Sequence, residues 1–218
     1  MILQQTYPLH QPKPLRLVGK IFSYIFHPLF IPAYVIAYLI FIHPYAFSSL
    51  QEKQKAMKMI SFFVITVFFP ALTVFLLWRL KFADSIFLRT QKERIIPYVA
   101  TITYFFWAWY VSKNQLENPP ALVFFCLGLF LCASVALMAN NYFKISMHGL
   151  GVGGGMAFFI LLAWVTTEPM GLPVSVATAI AGIVCTSRLL ISDHHPAEVY
   201  WGLFVGAISQ YVAWWIVI

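Results

Sequence analysis

Seven predominantly apolar stretches, most of about twenty residues, run through the sequence at 18–42, 57–80, 95–112, 120–139, 149–166, 172–190 and 197–218. A helix rises about 1.5 Å per residue, so a run of that length matches the roughly 30 Å hydrocarbon core of a bilayer. Backbone in lipid must satisfy its own hydrogen bonds, which leaves helices or closed barrels. Barrel strands alternate apolar and polar residues, and these runs do not. The expected fold is all-α, a polytopic membrane helical bundle of six to seven transmembrane helices. Only 10% of the residues are charged, against about 25% in an average soluble domain, so little of the chain is suited to water. Residues 1–17 are polar and proline-bearing, unlike a signal peptide. They read as a short tail before a single transmembrane domain at 18–218.

A net charge of +7 would suit nucleic acid, but the basic residues sit between apolar runs and no soluble basic domain gathers them. No nucleic-acid partner is expected; membrane topology and anionic headgroups account for the charge, and the bilayer itself is the partner. Cys126, Cys132 and Cys185 fall inside apolar runs without CxxC spacing and read as packing residues. No cluster has metal-ligand spacing, no cofactor is implied, and no feature specifies an oligomeric state.

Counting crossings from the amino terminus places the connections 81–94, 140–148 and 191–196 on one face, and these hold most of the reactive chemistry. The last reads SRLLISDHHPAEVYWG with its flanks. Pro196 suits the first turn of a helix, which puts His194 at the helix entry and Glu198 four residues on, on a shared face. A carboxylate that accepts one imidazole N–H leaves the other nitrogen a lone pair, which makes a nucleophile. Arg188 ends the preceding run, and its planar fork suits phosphoryl oxygens. The alternative for Arg188 and the histidines is headgroup anchoring. In NNYFKISMHGLGVGGG, Ser146 and His148 precede a helix opening with Gly149, whose amides and dipole favour an anion. His148 there can protonate a leaving alcohol, or simply cap the helix. Gly149, Gly151 and Gly154 fit GxGxxG, yet no strand precedes them. Close helix packing accounts for Gly151, Gly153, Gly154 and Gly155. His27, with Pro28 and Pro32, marks a kink or interface in the first helix. Asp193 and His195 read as loop residues.

Together these residues resemble the type 2 phosphatidic acid phosphatase superfamily, lipid phosphatases that share a fold with vanadium haloperoxidases. Its third signature, SRxxxxxHxxxD, is met by Ser187, Arg188 and His194, with Glu198 at the aspartate position. A wider pattern, HxPxDVxxG, is echoed by His194, Pro196, Glu198, Val199 and Gly202. Of the second, PSGH, Ser146 and His148 keep their spacing, with Ile145 and Met147 at the other positions. The first, KxxxxxxRP, survives as Arg94 followed by Ile95, Ile96 and Pro97, with Phe87 at the lysine position. Lys81, Arg89, Lys92 and Lys144 are the candidates for the missing cation.

The resemblance implies His194 as nucleophile, Glu198 as its orienting carboxylate and His148 as general acid. It makes Arg94, Arg188, Ser146 and the Gly149 amide phosphate ligands, to which Lys144 is added. The expected activity is metal-independent hydrolysis of a lipid phosphate or isoprenoid pyrophosphate through a phosphohistidine. The alternatives are a lipid-phosphate binding or transport protein of the same fold and, more remotely, a haem-bearing redox protein. Ten cations fall on the face of the three connections against four opposite, which points to a cytoplasmic site.

Overall fold

The computed structural model describes residues 12–88, 90–191 and 195–218. Arg89, Asp193 and His194, singled out above, lie outside the described residues. Every regular element among them is helical. They comprise α1 (Lys13–Ile25), α2 (Ile31–Ala37) with a π turn Tyr38–Ile42, α3 (Glu52–Phe63) joined by a π turn Val64–Phe68 to α4 (Phe69–Arg79), α5 (Gln91–Lys113), α6 (Pro120–Asn140), α7 (Met147–Val165), α8 (Gly171–Ile191) and α9 (Pro196–Val217). Five helices are long and apolar enough to cross a membrane: the joined α3–α4, α5, α6, α7 and α8. That makes the chain a multi-pass membrane protein. α9 has 22 residues but carries Ser209 and Gln210 at its middle, and it is not among the five.

The first apolar stretch differs from expectation. It is two helices rather than one, because Pro28 lacks an N–H and its ring blocks continuation of α1. Helix also begins at Lys13, inside the segment expected to be a tail. Prolines open α2, α6 and α9, where a missing N–H costs nothing. α5 starts four residues before its apolar run, on a capping box: Thr90 Oγ1 accepts from the Glu93 amide at 3.3 Å, and a Glu93 carboxylate oxygen accepts from the Thr90 amide at 2.9 Å.

α9 is the central helix, packed along α7 and against α6, with α5 beyond α6 and α8 beyond α7. The α7–α9 seam is made by paired glycines four residues apart, Gly149 and Gly153 facing Gly202 and Gly206. A Cβ at Gly149 would stand 2.6 Å from the Val199 carbonyl oxygen, and one at Gly202 2.6 Å from that of Ser146. Only hydrogen fits there, so the two backbones touch. Gly151 and Gly155 instead receive Pro28 and Ile31. At one end of the bundle Lys58 on α3 donates to Gln115, Glu117 and Asn118 and lies over the Phe47 ring. The sequence-singled connections meet at the other end.

Candidate active site

The connections before α5, α7 and α9 are tied together by hydrogen bonds to backbone carbonyls. Gln91 Nε2 donates to the Asn140 carbonyl at 2.8 Å, and Asn140 Nδ2 returns a bond to the Gln91 carbonyl at 2.9 Å. Ser146 N donates to the Glu198 carbonyl at 3.1 Å. Arg94, buried one turn into α5, donates from Nε to the Leu88 carbonyl at 2.9 Å and from Nη1 to the Ile145 carbonyl at 3.3 Å. Leu88 holds a left-handed backbone, φ 46°, a strain of about 1–2 kcal/mol that persists because its carbonyl is gripped by that arginine.

Below this junction opens a cavity of about 950 Å³, at the upper end of the range for small-molecule sites. Arg94, Lys144, His148 and Arg188 line it, joined by Lys20 and His27. On α5 the lining runs from Arg94 through Tyr98 and Thr101 to Phe105. That is a single helix face descending about 16 Å at 1.5 Å per residue. Phe75, Phe125 and Leu129 continue the apolar wall. Cations and imidazoles thus occupy one end of a long apolar bore. Tyr98 Oη, Ser23 Oγ and Gln210 Oε1 also belong to residues that line it, and they find no hydrogen-bond partner among the described residues.

Four sequence-selected residues, Arg94, Lys144, His148 and Arg188, therefore share the cavity. Three others do not line it. Ser146, fully buried, is the N-cap of α7, and its Oγ accepts from the Gly149 amide at 3.3 Å. The two groups expected to hold phosphate bond one another. Glu198 is the third residue of a capping box at the α9 start, where Oε2 accepts from the His195 amide at 3.3 Å while His195 Nδ1 accepts from the Ala197 amide at 3.3 Å. His194, whose orientation Glu198 was expected to fix, lies outside the described residues. Among the described residues no three His, Cys, Asp or Glu side chains gather as metal ligands would.

The sequence reading passed over the contribution of α1. Arg16, Lys20 and Ser23, with His27 just past the helix end, fall at i, i+4, i+7 and i+11, and all four line the cavity. The opposite face, with Leu17, Val18, Ile21 and Ile25, is exposed. That periodicity was the available signal, hidden because residues to 17 read as a tail. His27 meets His148 edge to face, ring centroids 5.3 Å apart.

Fold and site together define a multi-pass helical membrane protein with a cationic, histidine-bearing cavity that continues into an apolar bore. In comparisons with known proteins the chain matches no family model, no curated protein and no solved structure.

Proposed function

We propose that this chain is a metal-independent membrane lipid phosphatase. Its substrate is a lipid phosphate monoester or an isoprenoid pyrophosphate, of the phosphatidate, phosphatidylglycerophosphate or undecaprenyl pyrophosphate type. The observation that carries this reading is the single cavity in which Arg94, Lys144, Arg188 and His148 cap an apolar bore. A phosphoryl group requires fixed donors for its developing charge, and an acyl or isoprenyl chain requires a greasy slot. Arg94 spends two N–H groups on carbonyls and has three more in its fork for phosphate oxygens. In the sequence-derived mechanism, an imidazole nitrogen of His194 attacks phosphorus. The bond to the leaving oxygen breaks as His148 protonates it, and water then cleaves the phosphohistidine to release phosphate.

The test is phosphate release from phosphatidate or farnesyl diphosphate in vesicles bearing the purified protein, with EDTA present. Turnover under chelation, inhibition by vanadate and its loss in His194→Ala are expected. Undiminished release by His194→Ala, or activity that vanishes with EDTA and returns with magnesium, rejects the mechanism. A second reading, a lipid-phosphate binder without turnover, is favoured by one observation: Ser146 Oγ and the Gly149 amide satisfy each other away from the cavity. It predicts saturable binding of the same lipids and no released phosphate. On either reading the proposed topology has six to seven crossings, with the cavity's cationic end on the cytoplasmic face.

A further inference from the structure

The break between α1 and α2 is a built turn. Phe30 N donates to the His27 carbonyl at 2.8 Å, Leu29 N donates to His27 Nδ1 at 3.3 Å, and Tyr34 Oη donates to the Ile25 carbonyl at 2.9 Å. It docks on a stripe of α7 at i, i+3 and i+7, formed by His148, Gly151 and Gly155. A Cβ at Gly151 would stand 3.2 Å from Pro28 Cα, and one at Gly155 3.2 Å from Ile31 Cγ2. With no side chain between them, Pro28 seats on the α7 backbone. His27, one residue earlier, comes against His148 at an interplanar angle of 80°. From α1, the Ser23 carbonyl lies 3.1 Å from His148 Nε2. A carbonyl only accepts, so Nε2 carries a proton and that bond fixes one edge of the ring.

The two rings are held differently. His27 Nδ1 accepts from the Leu29 amide, so the ring is neutral with its proton on Nε2. A neutral ring packs edge to face without the repulsion of a second imidazolium, and adjacent titratable groups in unlike environments are the pattern of an acid with a supporting partner. The other charged groups around this end are Arg16 and Lys20 on α1, Arg94 on α5, Lys144 before α7, Arg188 on α8 and Glu198 on α9. We propose that His27 is a positioning residue for His148, clamping the ring against the Ser23 carbonyl so that it keeps a fixed aim within the cavity. The proposal rests on the general-acid role given to His148 and adds a residue that its signature does not contain.

The experiment uses the full chain in proteoliposomes and two readouts. The first is the rate at which diethylpyrocarbonate modifies His148, followed by peptide mass spectrometry. In His27→Ala this rate rises about threefold as the ring is unclamped; in His27→Phe, which keeps an aromatic ring in place, it stays near wild type. Gly151→Ala, which lifts Pro28 by a few tenths of an ångström, falls between the two. The second readout is phosphate release. His27→Ala loses about tenfold in kcat with KM little changed, and the alkaline limb of its kcat–pH profile is displaced by about half a unit. His27→Phe restores most of both. A folded His27→Ala protein with wild-type modification rate and wild-type pH profile overturns the proposal. If the wild type releases no phosphate, the phosphatase reading falls, and the modification rates still decide whether His27 holds His148.

Discussion

Gly202→Ala tests whether the α7–α9 seam sets the geometry of the candidate site. The added Cβ would meet the Ser146 carbonyl oxygen at 2.6 Å, Leu150 N at 3.2 Å and Gly149 Cα at 3.3 Å. All three are backbone atoms, so no side chain can swing aside. To reach ordinary contact α9 must retreat from α7 by about 0.8 Å, and a gap of that size forfeits a quarter to a half of each van der Waals contact along the seam. The expected cost is about 1–3 kcal/mol, the range for overpacking a tight core. The displaced contact is the N-cap residue of α7, two positions before His148, and misplacing a reacting group by about 1 Å costs up to 100-fold in rate. Unfolding in mixed micelles and phosphate release, measured side by side, should both report the change. Gly154→Ala is the control, because its Cβ finds nothing nearer than 3.6 Å. Wild-type stability and rate in Gly202→Ala, or equal losses in both variants, would refute the argument.

Arg94→Lys should destabilise the protein by about 1–3 kcal/mol and remove most turnover, since an ammonium cannot hold the Leu88 and Ile145 carbonyls and a phosphate together; unchanged thermal unfolding would contradict this. Lys58→Met should lower stability while leaving kcat within twofold or so, because the Lys58 cluster lies at the far end of the bundle. Glu117 in that cluster has its pKa lowered, chiefly by its own backbone hydrogen bond and then by Lys58. Its contribution is therefore present above the ordinary carboxylate pKa and lost as pH falls through the depressed value, and Lys58→Met should flatten the acid side of the unfolding profile. Single cysteines at Asn141 and Gln115, treated with an impermeant maleimide in intact cells, should label at Gln115 only. Labelling at Asn141 alone reverses the orientation, and labelling at both breaks the topology.

Helices were legible because apolar length and the absence of alternation leave no other structure in lipid, and the meeting of the three connections followed from counting crossings. The break at His27–Phe30 was only half legible. Pro28 announces a disturbance, but hydropathy alone does not distinguish a kinked span from two helices. Ser146 and Gly149 illustrate a different limit. Sequence places a hydroxyl and an amide beside a histidine, and only coordinates reveal that they bond to each other. Glu198 likewise reads as a partner for an imidazole, while a glutamate three residues after an N-cap has a competing use in closing the helix start. Lys20 read only as one of the cations of its face, and His27 only as the mark of a kink or interface, because a polar stripe was split between an assumed tail and an assumed span.

The wall that α1 supplies is one helix thick, polar toward the cavity and apolar on its far side at Leu17, Val18, Ile21 and Ile25. Among the described residues no layer of protein covers that far side, so whatever amphiphile surrounds it leans directly on a strut of the cavity. Acyl-chain length, headgroup packing and the choice of solubilising agent are therefore expected to act as mechanical inputs to the cavity, bracing one molecule differently in micelles and in bilayers.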